Sequence, residues 1–324
     1  MYKIFVTSRM YTQDDETFDG LRKNGCEIVP NPFYGRILTE DELANHIKGI
    51  HGIILGVENV TPRVLANADC LKMISRFGVG VDNIDIPAAT EKGIIVTNVP
   101  GANSDAVADL TLGLIIAISR GIHTGWELIK SGGWQGLKGP EVWEKTLGLI
   151  GLGRIGKGVA KRAQGFNMKI LAYDEFPNPA YCKENNIELV DSIEAILKNS
   201  DYVSLHIPFS ATSKDMISTK ELNMMKPTAY LINAARGGII NEDALYDCLK
   251  EKRIAGAALD VLAVEPAQKG LKLAELDNIL ITPHIAGNSY EAVQRTKEIA
   301  VENLLAGLNG KMTEFVLNRD GLKK

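Results

Sequence analysis

The sequence predicts an α/β protein built from two domains, each with a parallel sheet. Short apolar runs typical of strands alternate with amphipathic stretches along all 324 residues, and this alternation indicates βαβ units. The pattern starts again near Thr146, at a glycine-rich turn. Because a chain of this length usually forms about two domains, we place the start of a second α/β domain there.

The elements follow from this alternation in chain order. Strands of the first domain are predicted at Tyr2–Thr7, Cys26–Val29, Gly52–Leu55, Leu71–Ser75 and Gly93–Val96. Strands of the second are predicted at Thr146–Gly151, Met168–Tyr173, Tyr202–His206, Ala229–Asn233, Ile254–Asp260 and Ile279–Thr282. Helices are predicted at Thr39–Lys48, Pro62–Asn67, Asn103–Arg120 and Ser289–Leu308. Residues 132–143, rich in glycine and tryptophan, predict an irregular surface arm, and the last helix is expected to return to the first domain.

Composition and charge exclude several classes of protein. The chain is 45% hydrophobic and 23% charged, with a formal net charge of -4, which argues against nucleic acid and anionic membranes as partners. The four cysteines form no CxxC pair and no zinc-ligand spacing, so we expect reduced thiols, no metal and a cytoplasmic protein. The N-terminus resembles a strand rather than a signal peptide. The apolar run Leu110–Ile118 is far shorter than the ~20 residues of a membrane span and predicts a buried helix.

The glycine-rich turn predicts a dinucleotide site. Gly151, Gly153 and Gly156 match GxGxxG between a predicted strand and a predicted helix, and Asp174 ends the next strand. In this context the glycines permit a tight turn, close approach of a pyrophosphate and close helix packing, and the helix N-terminus favours phosphate. Asp174 can accept hydrogen bonds from the ribose hydroxyls and repel a 2′-phosphate, which favours NAD over NADP. S-adenosylmethionine folds share these features and remain an alternative at this point.

Three further stretches place chemically active residues at the ends of later strands. They carry Arg236, Asp260 with Glu265, and His284, and ligands of open α/β sheets bind at the carboxyl ends of strands. An arginine can hold a carboxylate and polarise a carbonyl, a histidine can supply a proton, and a glutamate can orient and charge-stabilise that histidine. The set suits reduction of a 2-oxo acid.

These motifs resemble the D-isomer-specific 2-hydroxyacid dehydrogenase family over nearly the whole chain. The resemblance rests on RFGVGVDNID (76–85), GLGRIG, NAARGGIINEDAL, AALDVLAVEP and TPHIAG. It implies Arg236, Glu265 and His284 as catalytic residues. It implies that NAD is bound by Gly151, Gly153, Arg154, Ile155, Gly156, Asp174, His206, Pro208, Ser213, Ala234, Arg236, Asp260, His284 and Gly287. Asp260 is expected on the nicotinamide carboxamide, and His206 and Pro208 on the adenosine side.

The resemblance also implies a domain arrangement. A discontinuous substrate domain, residues 1–100 plus 290–324, would receive an inserted Rossmann-type cofactor domain, residues 101–289; both would be Rossmann- or flavodoxin-like. The active site would lie in the cleft between them, and domain closure would exclude water. A homodimer is expected, with residues 105–143 at the interface.

The substrate is implied to be a small 2-oxo or 2-hydroxy acid bound by Arg76, Phe77, Gly78, Val79, Gly80, Asn103, Arg236 and His284. The phosphoglycerate dehydrogenase branch is the most similar, which favours phosphoglycerate and phosphohydroxypyruvate, without the C-terminal regulatory domain of serine-sensing members. One departure is Gly56, where better-known members of that branch carry an arginine. The alternatives are a hydroxypyruvate/glyoxylate reductase, a sulfolactate-type dehydrogenase and a corepressor-like protein that senses NAD. Formate or phosphite oxidation is disfavoured, since formate oxidisers usually carry Gln in place of Glu265.

Overall fold

The computed structural model describes residues 1–322 and confirms an α/β fold with two all-parallel sheets. The strands are β1 (Tyr2–Val6), β2 (Cys26–Val29), β3 (Gly52–Leu55), β4 (Met73–Arg76), β5 (Ile95–Thr97), β6 (Thr146–Ile150), β7 (Lys169–Tyr173), β8 (Ile187–Leu189), β9 (Tyr202–Leu205), β10 (Tyr230–Asn233), β11 (Gly256–Leu259) and β12 (Ile279–Ile281). The helices are α1 (Phe18–Lys23), α2 (Glu40–His46), α3 (Pro62–Ala66), α4 (Ile86–Glu91), α5 (Ser104–Arg120), α6 (Ile122–Lys130), α7 (Arg154–Ala163), α8 (Pro179–Glu184), α9 (Ile193–Asn199), α10 (Thr219–Leu222), α11 (Glu242–Lys250) and α12 (Tyr290–Leu308).

The chain divides into two compact units. Unit 1 comprises residues 1–103 and 289–324, and unit 2 comprises residues 104–288; the sequence places these divisions after residues 100 and 289. Unit 1 has the strand order β2-β1-β3-β4-β5, and unit 2 has the order β12-β11-β10-β9-β6-β7-β8. The direction of winding therefore reverses between β1 and β3 in the first sheet and between β6 and β9 in the second. Ligands of open α/β sheets bind at the carboxyl ends of strands at such reversals.

The last helix belongs to unit 1, as the sequence predicts. Its hydroxyl cap is Ser289, which accepts the Ala292 N–H, and its inner face packs on the first sheet. The Ser75 hydroxyl donates to the Ala300 carbonyl at 2.8 Å. A Cβ atom on Gly307 would lie 2.4 Å from the Met73 sulfur, so a larger residue there would require the Met73 side chain to move.

The sequence analysis names neither strand β8 nor helices α1, α4, α6, α8, α9, α10 and α11. Strand β8 is three residues long and forms the outer edge of the second sheet, and so short a segment gives little periodicity. Helix α6 has no buried residue, and its apolar side chains Ile122, Trp126 and Ile129 are exposed. The predicted arm at 132–143 is irregular and mostly exposed, as expected.

The structure also describes the cysteines, the possible metal ligands and the longest apolar helices. Cys26, Cys182 and Cys248 are buried free thiols and Cys70 is an exposed one. In residues 1–322 no group of three or more His, Cys, Asp or Glu side chains could hold a metal ion. No single described helix is long and apolar enough to cross a membrane; α5 and α6 pass that test only when taken together, and they bend by 62° at their junction.

Candidate active site

The glycine turn after β6 is shaped by close backbone contacts. Gly151 has a φ of +99°, and a Cβ atom there would lie 2.6 Å from the His206 carbonyl oxygen. A Cβ atom on Gly156 would lie 2.3 Å from the Gly151 carbonyl oxygen. Gly153, the residue preceding α7, has nothing within 4 Å of its Cβ position. Two of the glycines thus close the turn, and the middle one leaves its outer face open for a ligand.

The next strand supplies an acid to this turn. Asp174 follows β7, and its Oδ2 accepts the Leu152 N–H at 2.6 Å. Its Oδ1 accepts the Phe176 N–H at 2.8 Å. The carboxylate therefore fixes the glycine turn beside the point where a ribose would follow the pyrophosphate. Arg154 is exposed in the first turn of α7, and Ile155 packs on the α5 side.

His206 closes the turn from the β9 side. Its backbone N–H donates to the Ile150 carbonyl at 2.7 Å, and its Nε2 lies 2.9 Å from the buried Ser204 hydroxyl. Burial lowers the pKa of His206 to about 4, so the ring is neutral at neutral pH. Its buried Nδ1 has no hydrogen-bond partner in residues 1–322.

The loop after His206 is held by Ser213. The Ser213 hydroxyl donates to the Pro208 carbonyl at 2.9 Å and accepts the Ser210 N–H at 2.7 Å. The structure thus gives Ser213, predicted to bind the cofactor, a clear role in shaping the loop that contains Pro208.

The glycine turn, Asp174 and His206 together fit a bound dinucleotide. The Gly153 backbone is open, the N-terminus of a ten-residue helix follows it, and an unpartnered buried ring nitrogen lies beside it. Backbone N–H groups at a helix N-terminus suit a pyrophosphate, and Asp174 suits a ribose.

A second cluster forms beyond β10 and β11, around Arg236. Asn233 ends β10; its side chain accepts the Ala235 N–H at 3.0 Å and donates to the Arg236 carbonyl at 2.8 Å. A Cβ atom on the following residue, Gly237, would lie 1.9 Å from the Leu262 carbonyl oxygen. This glycine lets the arginine turn pack directly on the loop that contains Glu265. Ala234, in the same turn, is buried.

Glu265 and His284 form a hydrogen-bonded pair. The His284 Nδ1 lies 2.7 Å from Glu265 Oε2, and the Leu262 N–H donates to Glu265 Oε1 at 3.0 Å. Burial raises the pKa of Glu265, but the hydrogen bonds from His284 and Leu262, with the nearby Arg236 charge, outweigh it and hold the pKa below its ordinary value. A charged carboxylate therefore orients the imidazole, whose Nε2 stays available to a ligand.

Asp260 anchors the loop that carries His284. Its Oδ1 accepts the Thr282 hydroxyl at 2.6 Å and the Ile285 N–H at 2.9 Å, and its Oδ2 accepts the Ala286 N–H at 2.8 Å. His284 itself has a φ of +53°, with its N–H donating to the Asp260 carbonyl. A left-handed histidine is strained, and the bonds to Asp260 on both sides of it hold that conformation. The cofactor contact expected for Asp260 stays a prediction; its observed contacts are with the loop that carries His284. Gly287 follows this loop directly.

The other predicted substrate residues belong to unit 1. Arg76 ends β4, its guanidinium donates to the Phe77 carbonyl, and it lies over Gly78, which has a φ of +127°. The Asn98 side chain donates to the Val79 carbonyl at 2.8 Å. Gly80 follows in the same loop. Asn103 is the last residue before unit 2, and its buried Oδ1 has no hydrogen-bond partner among the described residues.

The sequence analysis did not single out three residues that shape these strand ends. Asn233 precedes the predicted catalytic arginine in INAARGG, and its position at a strand end is the signal that could have identified it. Thr7 and Glu58, which pair in unit 1, give no signal, since they are 51 residues apart.

The fold and the site define a dehydrogenase with a Rossmann-type dinucleotide domain. A family model described as D-isomer specific 2-hydroxyacid dehydrogenase, NAD binding domain, matches residues 112–286. The D-3-phosphoglycerate dehydrogenase of Methanocaldococcus jannaschii is 43% identical over 284 residues, covering 87% of this chain and 54% of that protein. The glyoxylate reductase of Thermofilum pendens is 41% identical over 309 residues, covering 93% and 91%. A solved protein structure from Thermus thermophilus superposes with a TM-score of 0.89 at 36% identity, covering 97% and 99%.

The chain belongs to the D-isomer specific 2-hydroxyacid dehydrogenase family. It is an NAD-dependent oxidoreductase. It spans about half the length of the phosphoglycerate dehydrogenase relative and nearly the full length of the glyoxylate reductase relative.

Proposed function

We propose that the protein interconverts a 2-oxo acid of two or three carbons and the corresponding D-2-hydroxy acid. The observation that carries this proposal is the pair formed by Glu265 and His284, 2.7 Å apart, beside Arg236. A guanidinium suits the carboxylate and the carbonyl of such an acid. The imidazole Nε2 suits proton transfer to the oxygen on C2. NAD supplies the hydride acceptor or donor when it is bound.

The hydrogen bonds indicate a separate role for each of the surrounding polar residues. Glu265 stays ionised because its two oxygens accept hydrogen bonds, and through one of them it orients the His284 imidazole. Asp260 and Asn233 act through other residues: they hold the His284 loop and the Arg236 turn. Pre-organised groups of this kind contribute to catalysis because no reorganisation is needed during the reaction.

Two substrates are candidates. Glyoxylate and hydroxypyruvate are favoured by the match over nearly the whole length of a glyoxylate reductase. 3-Phosphohydroxypyruvate, which the sequence analysis favours, is supported by Arg76 at the carboxyl end of β4 and by the 43% identical phosphoglycerate dehydrogenase.

The test is NADH consumption with glyoxylate, hydroxypyruvate, 3-phosphohydroxypyruvate, pyruvate and sulfopyruvate, repeated with NADPH. We expect turnover of at least one of these acids with NADH. If the protein binds NADH but turns over none of them, the proposed activity is wrong, and the NAD-sensing alternative gains support.

We also propose a homodimer formed through the segment 122–143. This segment exposes large apolar side chains, which single proteins rarely cluster on their surface: Ile122, Trp126, Ile129, Trp134, Leu137 and Trp143. Light scattering after size exclusion tests it. We expect a mass of two chains, and a shift toward one chain in Trp126→Ser with Trp134→Ser; a wild-type monomer contradicts the proposal.

A further inference from the structure

The carboxyl edge of the sheet in unit 1 contains a buried acid, Glu58, that no sequence motif identifies. Its side chain lies just beyond β3, and the residue is only 2% exposed. Thr7 lies just beyond β1 and is equally buried. The winding of this sheet reverses between these two strands, which is where open α/β sheets bind ligands.

A hydrogen-bonded chain connects the two strand ends. The Gly56 N–H donates to the Thr7 hydroxyl oxygen at 2.9 Å, and that hydroxyl donates to Glu58 Oε2 at 2.6 Å. The Asn83 side chain donates to the Glu58 carbonyl at 2.7 Å and so joins this segment to the loop after β4. Thr7 therefore fixes the carboxylate itself, and Asn83 fixes the backbone that carries it.

A side chain at Gly56 would overlap its neighbours. A Cβ atom there would lie 2.8 Å from Glu58 Oε2 and 3.1 Å from the Ser8 Cα. The guanidinium of Arg76 lies over Gly78 and donates to the Phe77 carbonyl. Among the ion pairs of residues 1–322, none involves Glu58. The partner that the structure gives the Glu58 carboxylate is thus the neutral Thr7 hydroxyl.

Residues 76–80, the predicted substrate loop, begin at the end of the neighbouring strand β4. Leu55 pairs with Arg76 in the parallel register of β3 and β4, and the Phe77 N–H donates to the Leu55 carbonyl at 2.9 Å. Glu58 therefore follows the strand next to the one that leads into Arg76, Phe77 and Gly78. A carboxylate in a buried site accepts a hydrogen bond from a hydroxyl and repels a second anion, and the repulsion is stronger there than in water.

We propose that Glu58 is a specificity-determining residue, which selects 2-oxo acids with a hydroxyl group on C3 and rejects those with a phosphate or sulfonate group there. Thr7 positions the carboxylate and occupies one of its oxygens, leaving the other for the substrate hydroxyl. This inference rests on the proposed activity toward short 2-oxo acids and decides between its two substrate candidates.

The experiment compares kcat/KM for hydroxypyruvate and 3-phosphohydroxypyruvate in the wild type, Glu58→Gln, Glu58→Asp and the exposed-site control Glu91→Gln. We expect the wild type to prefer hydroxypyruvate. Glu58→Gln should lower this preference at least about tenfold, since like charges brought together cost more than the ~1.4 kcal/mol that a factor of ten requires. Glu58→Asp keeps the charge and should retain most of the preference, and Glu91→Gln should retain all of it.

Other results overturn the inference. A wild type that prefers the phosphorylated acid contradicts it, as does a Glu58→Gln variant that is folded by circular dichroism and keeps the wild-type ratio. Product inhibition of the wild type gives a second test that does not depend on a variant. D-glycerate should inhibit at least about tenfold more strongly than 3-phosphoglycerate. The opposite order overturns the proposal. Inactivity toward every 2-oxo acid instead overturns the proposed function.

Discussion

The two sheets present carboxyl edges that are built in different ways. In unit 2 the edge is fixed by the backbone: a Cβ atom on Gly151, Gly156 or Gly237 would lie 2.6, 2.3 or 1.9 Å from a carbonyl oxygen. In unit 1 the corresponding edge is fixed by side chains, since the Thr7 hydroxyl joins β1 to the Glu58 carboxylate beyond β3.

We propose that this difference separates the reaction from its specificity. In the proposed function, the groups of unit 2 act on a carboxylate, a carbonyl and a dinucleotide, which every 2-oxo acid reduction shares. The proposed specificity residue, Glu58, belongs to unit 1 and is held by a side chain, Thr7. Variants of unit 2 should therefore affect all substrates alike.

The largest expected effect is that of His284→Ala. Loss of the proton donor should lower kcat about 1000-fold, and by the same factor for each 2-oxo acid, because the imidazole acts on the oxygen common to all of them. Steady-state kinetics with two substrates measure this, with NADH affinity from fluorescence as the control. A loss that differs more than about threefold between substrates would break the proposed separation.

The next effect concerns His206 and pH. Burial lowers the pKa of His206 to about 4, below the ~6.5 of an unfolded chain, so the unfolded state binds more protons between these values. The stability that the neutral ring provides is complete above pH 6.5 and is lost as pH falls toward 4, by about 3 kcal/mol.

The variant His206→Asn has no titratable group at this position, so it should lack this pH-dependent part of the free energy of unfolding. Urea unfolding at pH 7, 5.5 and 4 should show the free energy of unfolding of the wild type falling more steeply than that of the variant. Parallel pH profiles for the two proteins would contradict the assignment of a neutral buried ring.

How far the sequence predicts the molecule depends on the residue types involved. The glycine turn, Arg236, Glu265 and His284 were predictable because glycines and chemically reactive residues recur at strand ends in chain order. The cluster of Thr7, Gly56 and Glu58 was not, because an acid before a turn is usually exposed and nothing local shows that a threonine 51 residues away donates to it.

Asp260 shows a second limit. Its position after β11 predicted a role in the site, but the role depends on where Thr282, Ile285 and Ala286 fold back onto it. Those contacts come from a loop whose left-handed residue is a histidine rather than a glycine, so the sequence gives no sign of the turn. Residue type placed Asp260 in the predicted site, and only the tertiary structure shows which groups this acid holds.

Gly156 and Gly153, in the same turn of unit 2, should respond differently to substitution by alanine, and their expected effects are smaller than those above. Gly156→Ala should destabilise the protein by about 1–3 kcal/mol, because its Cβ would overlap the Gly151 carbonyl. Gly153→Ala has open space around its Cβ, so it should keep the wild-type Tm and weaken NADH binding about tenfold by blocking the approach of the pyrophosphate. Calorimetry and NADH titration measure both; a destabilised Gly153→Ala, or a fully stable Gly156→Ala, contradicts the proposed roles.

The smallest effect is expected for Asp174→Asn. The carboxylate accepts the Leu152 and Phe176 N–H groups, and an asparagine keeps one acceptor oxygen but no charge. Because the charge is what repels a 2′-phosphate, the ratio of kcat/KM for NADH over NADPH should fall about tenfold, or ~1.4 kcal/mol, with little change in the preference among 2-oxo acids. An unchanged cofactor ratio would remove the assignment of Asp174 to the ribose, and an altered 2-oxo acid preference would show that the edge of unit 2 also contributes to substrate specificity.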